Sequence, residues 1–498
     1  MNKKKVVSAY RRLLSKTRRR PSKGPSNRTL AEEAASDRGR ILFSNGFRRL
    51  QSKTQVFPQE WNAAVRTRLT HSVEVAAIGR YIAEGVAEHL VVSGYLGHAR
   101  RVEVRQAATA FVTFAEVACL LHDIGNPPFG HFGESSIQEW FSSRHVEFRK
   151  RFGNRNQALF DERYQDFILF DGNPQGFRLA TRLQWVNDEL GYNLTLTQLA
   201  AMLKYPWTPA RVGSKRNGKK ISKAGVFFSE EGILKEITRG LSLDTYARHP
   251  IAYVMEAADD ISYCLSDMED ALEKRVVRHQ DVISTLRRGL RKIRSPLVTR
   301  ILKALPKGAV TDGAWFVGFR TAVTNALVAR AGEIYERHHD RVMQGEYFSL
   351  FERSTVARGL LSIVREFCEQ QLYCSHVVRE RELVGYQVIS GILDKFGLLL
   401  ELPREEAEAL LLENKSPMLP GMVLAPTLKS FLPQKHLKAY RHIVRNELRK
   451  SPGTSSGDRE VMEWMARAHL IVDFLSGMTD DFAIVTYRRL YDGGAHQL

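Results

Sequence analysis

Apolar residues recur at spacings of three and four along most of this 498-residue chain. From about Thr29 onward this spacing prevails and alternating runs are few, so the pattern predicts amphipathic helices rather than strands. Glycines, prolines and polar clusters interrupt the pattern near residues 125–128, 172–175, 206–218, 306–312, 415–426 and 451–459. The sequence therefore predicts an all-α fold with little β structure.

The length of the chain fits two or three domains, or one large elaborated domain. We predict a flexible basic arm over residues 1–30 and a core that carries the chemistry over residues 31–300. Residues 301–498 are predicted to form a helical region that packs on this core and contributes to an oligomer interface.

Composition favours a soluble protein, with 43% hydrophobic and 26% charged residues. The longest nearly apolar stretch, residues 108–121, is shorter than a membrane span and contains Glu116. The basic N-terminal residues lack the continuous apolar stretch of a secretory signal, and the four cysteines are too irregularly spaced for a disulfide framework. We therefore expect a cytoplasmic protein with reduced thiols and no membrane segment.

The net charge of +19 is concentrated in three acid-free stretches. Residues 1–30 hold eleven Lys or Arg, residues 211–223 hold six and residues 282–307 hold eight, so the rest of the chain carries −6. The N-terminal stretch is equally consistent with nucleic-acid contact and with a solvated tail, and an organellar targeting segment is a third reading. Basicity is therefore local and does not by itself define a nucleic-acid binding protein.

Two histidines lie at predicted helix ends. The apolar positions that follow His71 repeat with helical spacing, which places its imidazole in the first turn of a helix. His122 and Asp123 close an apolar helical segment, because Gly125 and the two prolines after it stop a helix. Both imidazoles are thus predicted next to apolar, buried sequence.

A third segment supplies carboxylates. Asp259, Tyr263 and Asp267 are spaced by four residues and share one face of a predicted helix. Two imidazoles and two carboxylates form a mixed nitrogen and oxygen donor set that suits Mn²⁺, Mg²⁺, Fe²⁺, Co²⁺ or Zn²⁺ and leaves positions for water and substrate. A lone His-Asp pair is more often structural, but the three segments together predict a metal site.

Six motifs carry a family resemblance. They are SDRGRI at 36–41, FRRLQSKTQVF at 47–57, RTRLTHS at 66–72, HDIGNPPFGHFGE at 122–134, EAADDISY at 256–263 and SGMTD at 476–480. The order of a His, a His-Asp pair and a distant Asp resembles the HD-domain phosphohydrolase superfamily. The full set resembles the bacterial deoxyguanosinetriphosphate triphosphohydrolases (dGTPases) over roughly residues 30–490.

This resemblance implies an HD-domain helical core and an enzyme that hydrolyses dGTP to nucleoside and intact triphosphate by attack of water at the α-phosphorus. Whether other deoxynucleoside triphosphates are substrates stays open. It further implies a divalent metal, Mg²⁺ or Mn²⁺ with Co²⁺ as an alternative, and a homo-oligomer such as a tetramer or hexamer. Single-stranded DNA is an expected effector, and control of the deoxynucleotide pool is the expected role.

Carried over by motif position, His71, His122, Asp123 and Asp259 are the implied metal ligands. Asp259 is preferred to its neighbour Asp260 because the tyrosine of the family lies four residues beyond the ligand aspartate, where this chain has Tyr263. The shared face with Asp267 would be lost if Asp260 were the ligand.

His131 and Glu134 form the predicted proton-transfer pair. The glycines around them permit a tight loop, and three-residue spacing on a helix lets Glu134 orient the imidazole. Whether His131 acts as a base toward water or as an acid toward the 5′ oxygen stays open. The alternative is a capping role for both residues.

The resemblance also implies substrate contacts. Gln55 and Tyr263 are assigned to the deoxyribose, and Asp267 is expected to accept a hydrogen bond from its 3′-hydroxyl. Cationic side chains would neutralise the charge of the triphosphate. The residues assigned to the triphosphate are Arg68, Lys204, Tyr205 and, with a weaker motif, Lys223. Each cation has a surface charge as its alternative role.

Three other functions stay open at this stage. An HD-type phosphohydrolase that acts on monophosphates would release orthophosphate, and a broader enzyme would accept several deoxynucleotides. A single-stranded nucleic-acid binding protein with a vestigial HD site is the third possibility. Against that last interpretation, all four proposed ligands and both proton-transfer residues are present.

Overall fold

The computed structural model describes residues 2–22, 24, 25, 27–57, 62–184, 188–308, 310, 312–413, 423–449 and 455–491. Its α-helices are α1 (Lys3–Leu13), α2 (Leu30–Leu42), α3 (Asn45–Arg48), α4 (Arg68–Val92), α5 (Val102–Leu121), α6 (Gly130–Arg149), α7 (Asn154–Ile168), α8 (Gly172–Arg178), α9 (Leu196–Ala201), α10 (Glu231–Leu241), α11 (Pro250–Glu273), α12 (His279–Leu290), α13 (Pro296–Lys303), α14 (Ala314–Arg337), α15 (His339–Met343), α16 (Thr355–Phe367), α17 (His376–Glu401), α18 (Arg404–Glu413), α19 (Ala425–Phe431), α20 (Gln434–His442), α21 (Ser456–Ser476) and α22 (Asp480–Tyr491).

Shorter elements join these helices. The 3₁₀ segments are Arg49–Ser52, Pro209–Arg211, Phe228–Glu230 and Phe351–Arg353, and the π-helical segments are Leu179–Leu183, Cys368–Leu372 and Ile443–Leu448. The strands of the described residues are β1 (Lys215–Arg216) and β2 (Lys219–Lys220), which pair antiparallel. The predicted all-α fold is confirmed.

The described residues group into two compact units that are each discontinuous in sequence. The first unit comprises Met1–Ile124, Asn193–Pro206 and Gly232–Arg381. The second comprises Gly125–Tyr192, Trp207–Glu231 and Glu382–Leu498. This grouping differs from the predicted divisions at residues 30 and 300, because the chain leaves and re-enters each unit and hydrophobic spacing along a sequence cannot show such a return.

Helices α4, α5 and α11 pack together in the first unit and position the candidate metal ligands. Helix α4 begins at Arg68 because Thr67 and Thr70 form a reciprocal cap, in which each side chain accepts from the other's backbone N–H. Gly79 lets α4 approach α5 closely, since a Cβ there would lie 2.3 Å from Cys119 Sγ. The middle of α4 is thereby packed closely against the end of α5.

The N-terminal residues differ from the flexible arm that we predicted. Helix α1 buries Val6, Tyr10 and Leu13, whose spacing forms an apolar stripe. Arg18 is buried in ion pairs, with Nη1 2.5 Å from Asp37 Oδ1 and a still closer contact to Glu33. The segment therefore contains an amphipathic helix and, at Arg18, a buried anchor. Its many positive charges are nevertheless typical of a solvated tail.

The second unit has a core rich in aromatic side chains. Phe141 of α6 stacks on Phe167 of α7 with ring centroids 4.7 Å apart, and Trp464 of α21 lies 5.4 Å from the ring of Phe160. Tyr164 donates a hydrogen bond of 2.7 Å to the Phe141 carbonyl, so its buried hydroxyl is satisfied. This core supports the loop and helix start at residues 125–134.

Helices α5 and α17 are long and apolar enough, by length and composition, to cross a membrane. Their apolar windows are 61% and 56% buried within the protein. Core helices of soluble proteins pass the same test, so the two helices are weak support for a membrane span.

Candidate active site

His122 lies directly after the last residue of α5, as the sequence predicted. Its Nδ1–H donates to the Cys119 carbonyl over 2.7 Å, which leaves Nε2 as the ring nitrogen with a free lone pair. That Nε2 lies 3.5 Å from Oδ1 of Asp123 and 3.5 Å from Oδ1 of Asp259. The end of α5 thus aims one imidazole nitrogen at two carboxylates.

His71 lies in the first turn of α4, again as predicted, and is buried. Its Nε2 is 3.6 Å from Asp259 Oδ1, and its ring meets that of His122 edge to face with centroids 5.4 Å apart. Potential ligand atoms of His71, His122 and Asp123 all lie within 4.8 Å of one another. The first unit therefore brings the four predicted ligands together.

The donor set fits a small divalent ion. Two imidazole nitrogens and two carboxylate oxygens at these separations match the spacing of neighbouring ligands around an ion bound at about 2.0–2.2 Å. The orienting bond from His122 to a backbone carbonyl is the outer-shell contact that fixes a ligand histidine. The cluster is a candidate metal site of the HD type.

Electrostatics keep both carboxylates ionised. Burial alone would raise the pKa of Asp123, but the neighbouring His122 and Arg68 lower it well below its usual range. Burial likewise opposes the charged form of Asp259, whose pKa is nevertheless lowered by His122, His71 and Lys204. Ionised carboxylates are the form that binds a cation.

Arg68, a predicted phosphate contact, is buried beside the cluster. Its Nη1 lies 2.6 Å from Asp123 Oδ2, while Asp123 Oδ1 faces His122. One carboxylate oxygen is thus held by a guanidinium and the other is directed at the candidate metal position. The Arg68 backbone N–H donates to the Lys53 carbonyl over 2.9 Å, which ties the segment that carries Gln55 to the start of α4.

Lys204 and Tyr205 lie at the other side of Asp259. Lys204 Nζ is 3.5 Å from Asp259 Oδ2 and 3.8 Å from Glu256 Oε1, and it lies 5.9 Å from the Tyr205 ring centroid. Burial works against the charge of Lys204, but Tyr205 and the carboxylates Glu256 and Asp259 hold its pKa above the ordinary value. The charged form of Lys204 is therefore favoured next to the candidate metal ligands.

Sequence reasoning missed the residues that support Lys204. Arg248 is buried, donates to Glu256 over 2.6 Å and donates to the Lys204 carbonyl over 2.8 Å. The sequence could have indicated Glu256, because it lies three residues before Asp259 and therefore on the same face of the helix. Arg248 has no such signal, because only the fold brings it to Lys204.

Tyr263 and Asp267 share a face of α11, and a third residue joins them. The Tyr373 hydroxyl donates to Asp267 Oδ2 over 2.5 Å and lies 3.0 Å from the Tyr263 hydroxyl. Burial raises the pKa of Asp267 to about 7, although the hydrogen bond from Tyr373 works in the opposite direction. No motif pointed to Tyr373, which is far from both partners in sequence.

Two acceptors near these segments have no partner. Gln55 Oε1 and Asp267 Oδ1 are buried and make no hydrogen bond to any of the described residues. A buried acceptor without a donor costs about 1–3 kcal/mol. Both atoms are suited to accept from the hydroxyl of a ligand.

The second unit holds the predicted proton-transfer pair. His131 is the second residue of α6, and its Nδ1 lies 2.7 Å from Glu134 Oε2. The imidazole is exposed, whereas Glu134 is buried and its Oε1 accepts from the Gly172 N–H over 2.7 Å. Glu134 is thus fixed by the protein and orients an imidazole whose Nε2 remains accessible.

Lys223 also belongs to the second unit. Its Nζ lies 2.6 Å from Asp171 Oδ2, and the side chain is 41% exposed. The basic stretch before it forms the hairpin of β1 and β2, turned by Asn217 and Gly218 with positive φ values of 47° and 79°. The structure therefore pairs Lys223 with a carboxylate at the start of α8.

Comparison with known proteins agrees with this geometry. The HD domain family profile matches residues 68–167, the segment that contains three of the four candidate ligands and the His131–Glu134 pair. The chain is thus an HD-domain protein.

Relatives extend the match to nearly the whole chain. The deoxyguanosinetriphosphate triphosphohydrolases of Klebsiella pneumoniae (strain 342) and of Yersinia pseudotuberculosis serotype O:3 (strain YPIII) are each 34% identical to it, over 95% of this chain and 96% of the relative. That of Salmonella typhimurium is 35% identical over 91% of this chain and 92% of the relative. This chain belongs to the deoxyguanosinetriphosphate triphosphohydrolase family.

Proposed function

We propose that this chain is a metal-dependent hydrolase that cleaves dGTP to deoxyguanosine and inorganic triphosphate, with attack of water at the α-phosphorus. The observation that carries the proposal is the convergence of His71, His122, Asp123 and Asp259 in a chain whose relatives bear the name of this activity. Other deoxynucleoside triphosphates are further candidate substrates.

The four ligands would hold Mg²⁺, Mn²⁺ or Co²⁺. When bound, such an ion would offset the charge of the α-phosphate and acidify the attacking water. Arg68 keeps the Asp123 carboxylate oriented, and the backbone contact of His122 keeps its Nε2 directed inward. The protein thus supplies a rigid donor set before any substrate arrives.

Cations of the chain bind the triphosphate. Lys204 is half-buried and charged beside Asp259, and the Arg68 guanidinium lies beside Asp123. Tyr205 adds a hydroxyl next to Lys204. Lys223 is a weaker candidate because its ammonium group already contacts Asp171.

The deoxyribose is bound by the unpartnered acceptors. Asp267 Oδ1 accepts from the 3′-hydroxyl, with its other oxygen held by Tyr373, and Gln55 Oε1 is available to the sugar as well. Tyr263 packs the sugar face and is itself placed by the Tyr373 hydroxyl. A pocket that is closed around the sugar would exclude the extra hydroxyl of a ribonucleotide.

His131 transfers the proton. Glu134 accepts from its Nδ1–H, so Nε2 is the atom that takes a proton from water or gives one to the leaving 5′ oxygen. The 5′ alkoxide is a strong base, and a positioned proton donor typically contributes about 10²–10⁴-fold to the rate.

A ligand substitution tests the metal assignment. His122→Ala should reduce triphosphate release from dGTP by at least about 10³-fold with Mg²⁺, Mn²⁺ or Co²⁺, because an ion that lacks one of its ligands is both weakly bound and misplaced. His98→Ala is the matched control, since His98 is an exposed histidine of the same unit. Retained hydrolysis in His122→Ala would refute the assignment.

We also propose a cytoplasmic homo-oligomer, a tetramer or hexamer, with single-stranded DNA as an effector and without a membrane partner. Of the three acid-free stretches, the one at 1–30 holds the most positive charges and is our candidate contact with DNA phosphates, ahead of 211–223 and 282–307. Sedimentation of the full chain with and without an oligonucleotide measures both the assembly and the contact.

A further inference from the structure

Phe129 holds an uncommon backbone conformation immediately before α6. Its φ of 60° and ψ of 18° lie in the left-handed region, which costs a residue with a side chain about 1–2 kcal/mol. The ring is 7% exposed and packs on α17 so closely that a Cβ at Gly385 would lie 2.9 Å from Phe129 Cγ. Such a conformation persists only where surrounding contacts impose it.

Asp480 supplies the polar contact that imposes it. The Phe129 N–H donates to Asp480 Oδ1 over 3.0 Å in a buried hydrogen bond, and Asp480 itself is only 2% exposed. A hydrogen bond to a charged group contributes about 1.5–3 kcal/mol, enough to offset the cost of the left-handed residue. Asp480 is the last residue of the SGMTD motif and the first of α22.

The turn at Phe129 determines where His131 lies. Gly130 follows it as the first residue of α6 and also has a positive φ, 60°, so two successive left-handed residues aim the first helical turn. His131 comes next, and its Nδ1 must meet Glu134 Oε2 at 2.7 Å. A change in the backbone conformation of Phe129 or Gly130 would therefore move the His131 imidazole away from the Glu134 carboxylate that orients it.

Glu134 is held by a separate set of contacts. Its Oε1 accepts from the N–H of Gly172, the first residue of α8. Helix α8 is fixed by Asp473, which accepts from Gln175 over 3.0 Å and from Arg178 over 2.9 Å. The carboxylate therefore stays in place when only the Phe129 turn is disturbed, which makes the two halves of the pair separable by experiment.

We propose that Asp480 is a positioning residue for proton transfer, acting through the Phe129 turn to hold His131 against Glu134. It touches neither substrate nor reacting atoms in this role. The role in catalysis rests on the proposed function, in which His131 transfers the proton.

Steady-state kinetics of three variants test the proposal. Asp480→Ala should lower kcat for dGTP by about 100-fold with KM changed less than about threefold, because a displacement of about 1 Å at a reacting group can cost that much. Asp480→Asn should recover most of kcat, since its amide oxygen still accepts from Phe129. Asp481→Ala, the exposed neighbour, should match the wild type. Equal kcat values for Asp480→Ala and Asp481→Ala would overturn the proposal.

A double-mutant cycle identifies the residue through which Asp480 acts. In a His131→Ala background, Asp480→Ala should cause no further loss of kcat, because the group that it positions is already gone. If the fold-losses in kcat of the two single variants instead multiply in the double variant, Asp480 does not act by positioning His131. If Asp480→Ala does not fold, Asp480→Glu takes its place in the same double-mutant cycle. This substitution keeps the charge at the start of α22 but moves the carboxylate by one methylene group.

A third readout does not depend on activity. With ¹⁵N-histidine labelling, the His131 Nδ1 resonance, identified by its loss in His131→Ala, should move in Asp480→Ala toward its position in Glu134→Gln. It should not move in Asp481→Ala, and an unmoved resonance in Asp480→Ala would overturn the proposal. If the resonance moves but the wild type releases no triphosphate from dGTP, the proposed function fails and the positioning of His131 stands.

Discussion

At the scale of single residues, Asp267 offers a pH test of sugar binding. Its pKa is raised to about 7 by burial, so the carboxyl is charged above that pH and neutral below it. A neutral acceptor binds a hydroxyl about 1 kcal/mol less strongly than a charged one. Lowering the pH from about 8 to about 6 should therefore raise KM for dGTP about fivefold.

Asp267→Asn separates this effect from other titrations. The amide does not titrate, so its KM should be higher than that of the wild type at high pH, and the ratio of the two KM values should fall as the pH is lowered. Protonation of the nucleotide or of His131 affects both proteins and cancels in the ratio. A ratio that does not change with pH would show that Asp267 does not contact the sugar in its charged form.

The sequence predicted the positions of some site residues but not of others. His71 lies where local signals put it, because the reciprocal cap of Thr67 and Thr70 fixes the start of α4. His122 also lies where the sequence predicted it, because an apolar helix ends directly before it. Tyr373 and Arg248 depend on contacts across long stretches of chain, and their own sequence surroundings carry no sign of those contacts.

At the scale of elements, the N-terminal segment gives a stability prediction. Arg18→Ala removes the cation from a pair of buried carboxylates, Glu33 and Asp37, and leaves them without compensation. Breaking a buried ion pair typically costs about 3–5 kcal/mol. Denaturant unfolding followed by circular dichroism should show a loss of that size.

Arg19→Ala is the matched control. Its guanidinium pairs at 3.0 Å with Glu236, a side chain that is 45% exposed, and such pairs contribute less than about 1 kcal/mol. Equal unfolding free energies for the Arg18 and Arg19 variants would contradict the buried anchor.

The same segment shows why the flexible arm was predicted. Eleven positive charges and no acid in residues 1–30 are typical of a solvated tail. The apolar positions of α1 span only three turns, and a short helix is stable only when it packs on other elements. The partners of Arg18 are visible only in the folded chain.

At the scale of the whole molecule, the localised charge predicts where single-stranded DNA binds. Deleting residues 1–30 would also remove the buried anchor, so substitution is the cleaner change. Combined Gln substitutions at Lys3, Lys4 and Lys5, all exposed, should weaken binding and reduce the slope of log K against log salt by about 2, since each phosphate contact on a single strand contributes about 0.7.

The hairpin of the second unit provides the control for this prediction. Gln substitutions at Lys215, Lys219 and Lys220 remove the same charge from an exposed surface, and the salt slope should stay at the wild-type value. An unchanged slope in the N-terminal variant, or a reduced slope in the hairpin variant, would place the contact outside α1.

The position of an oxygen label tests whether water attacks the α-phosphorus of dGTP and releases intact triphosphate. The full chain is incubated with dGTP and Mn²⁺ in H₂¹⁸O, and the products are analysed by mass spectrometry. We predict one ¹⁸O in inorganic triphosphate and none in deoxyguanosine. Release of pyrophosphate or orthophosphate as the first product, or ¹⁸O in the nucleoside, would contradict the proposed reaction.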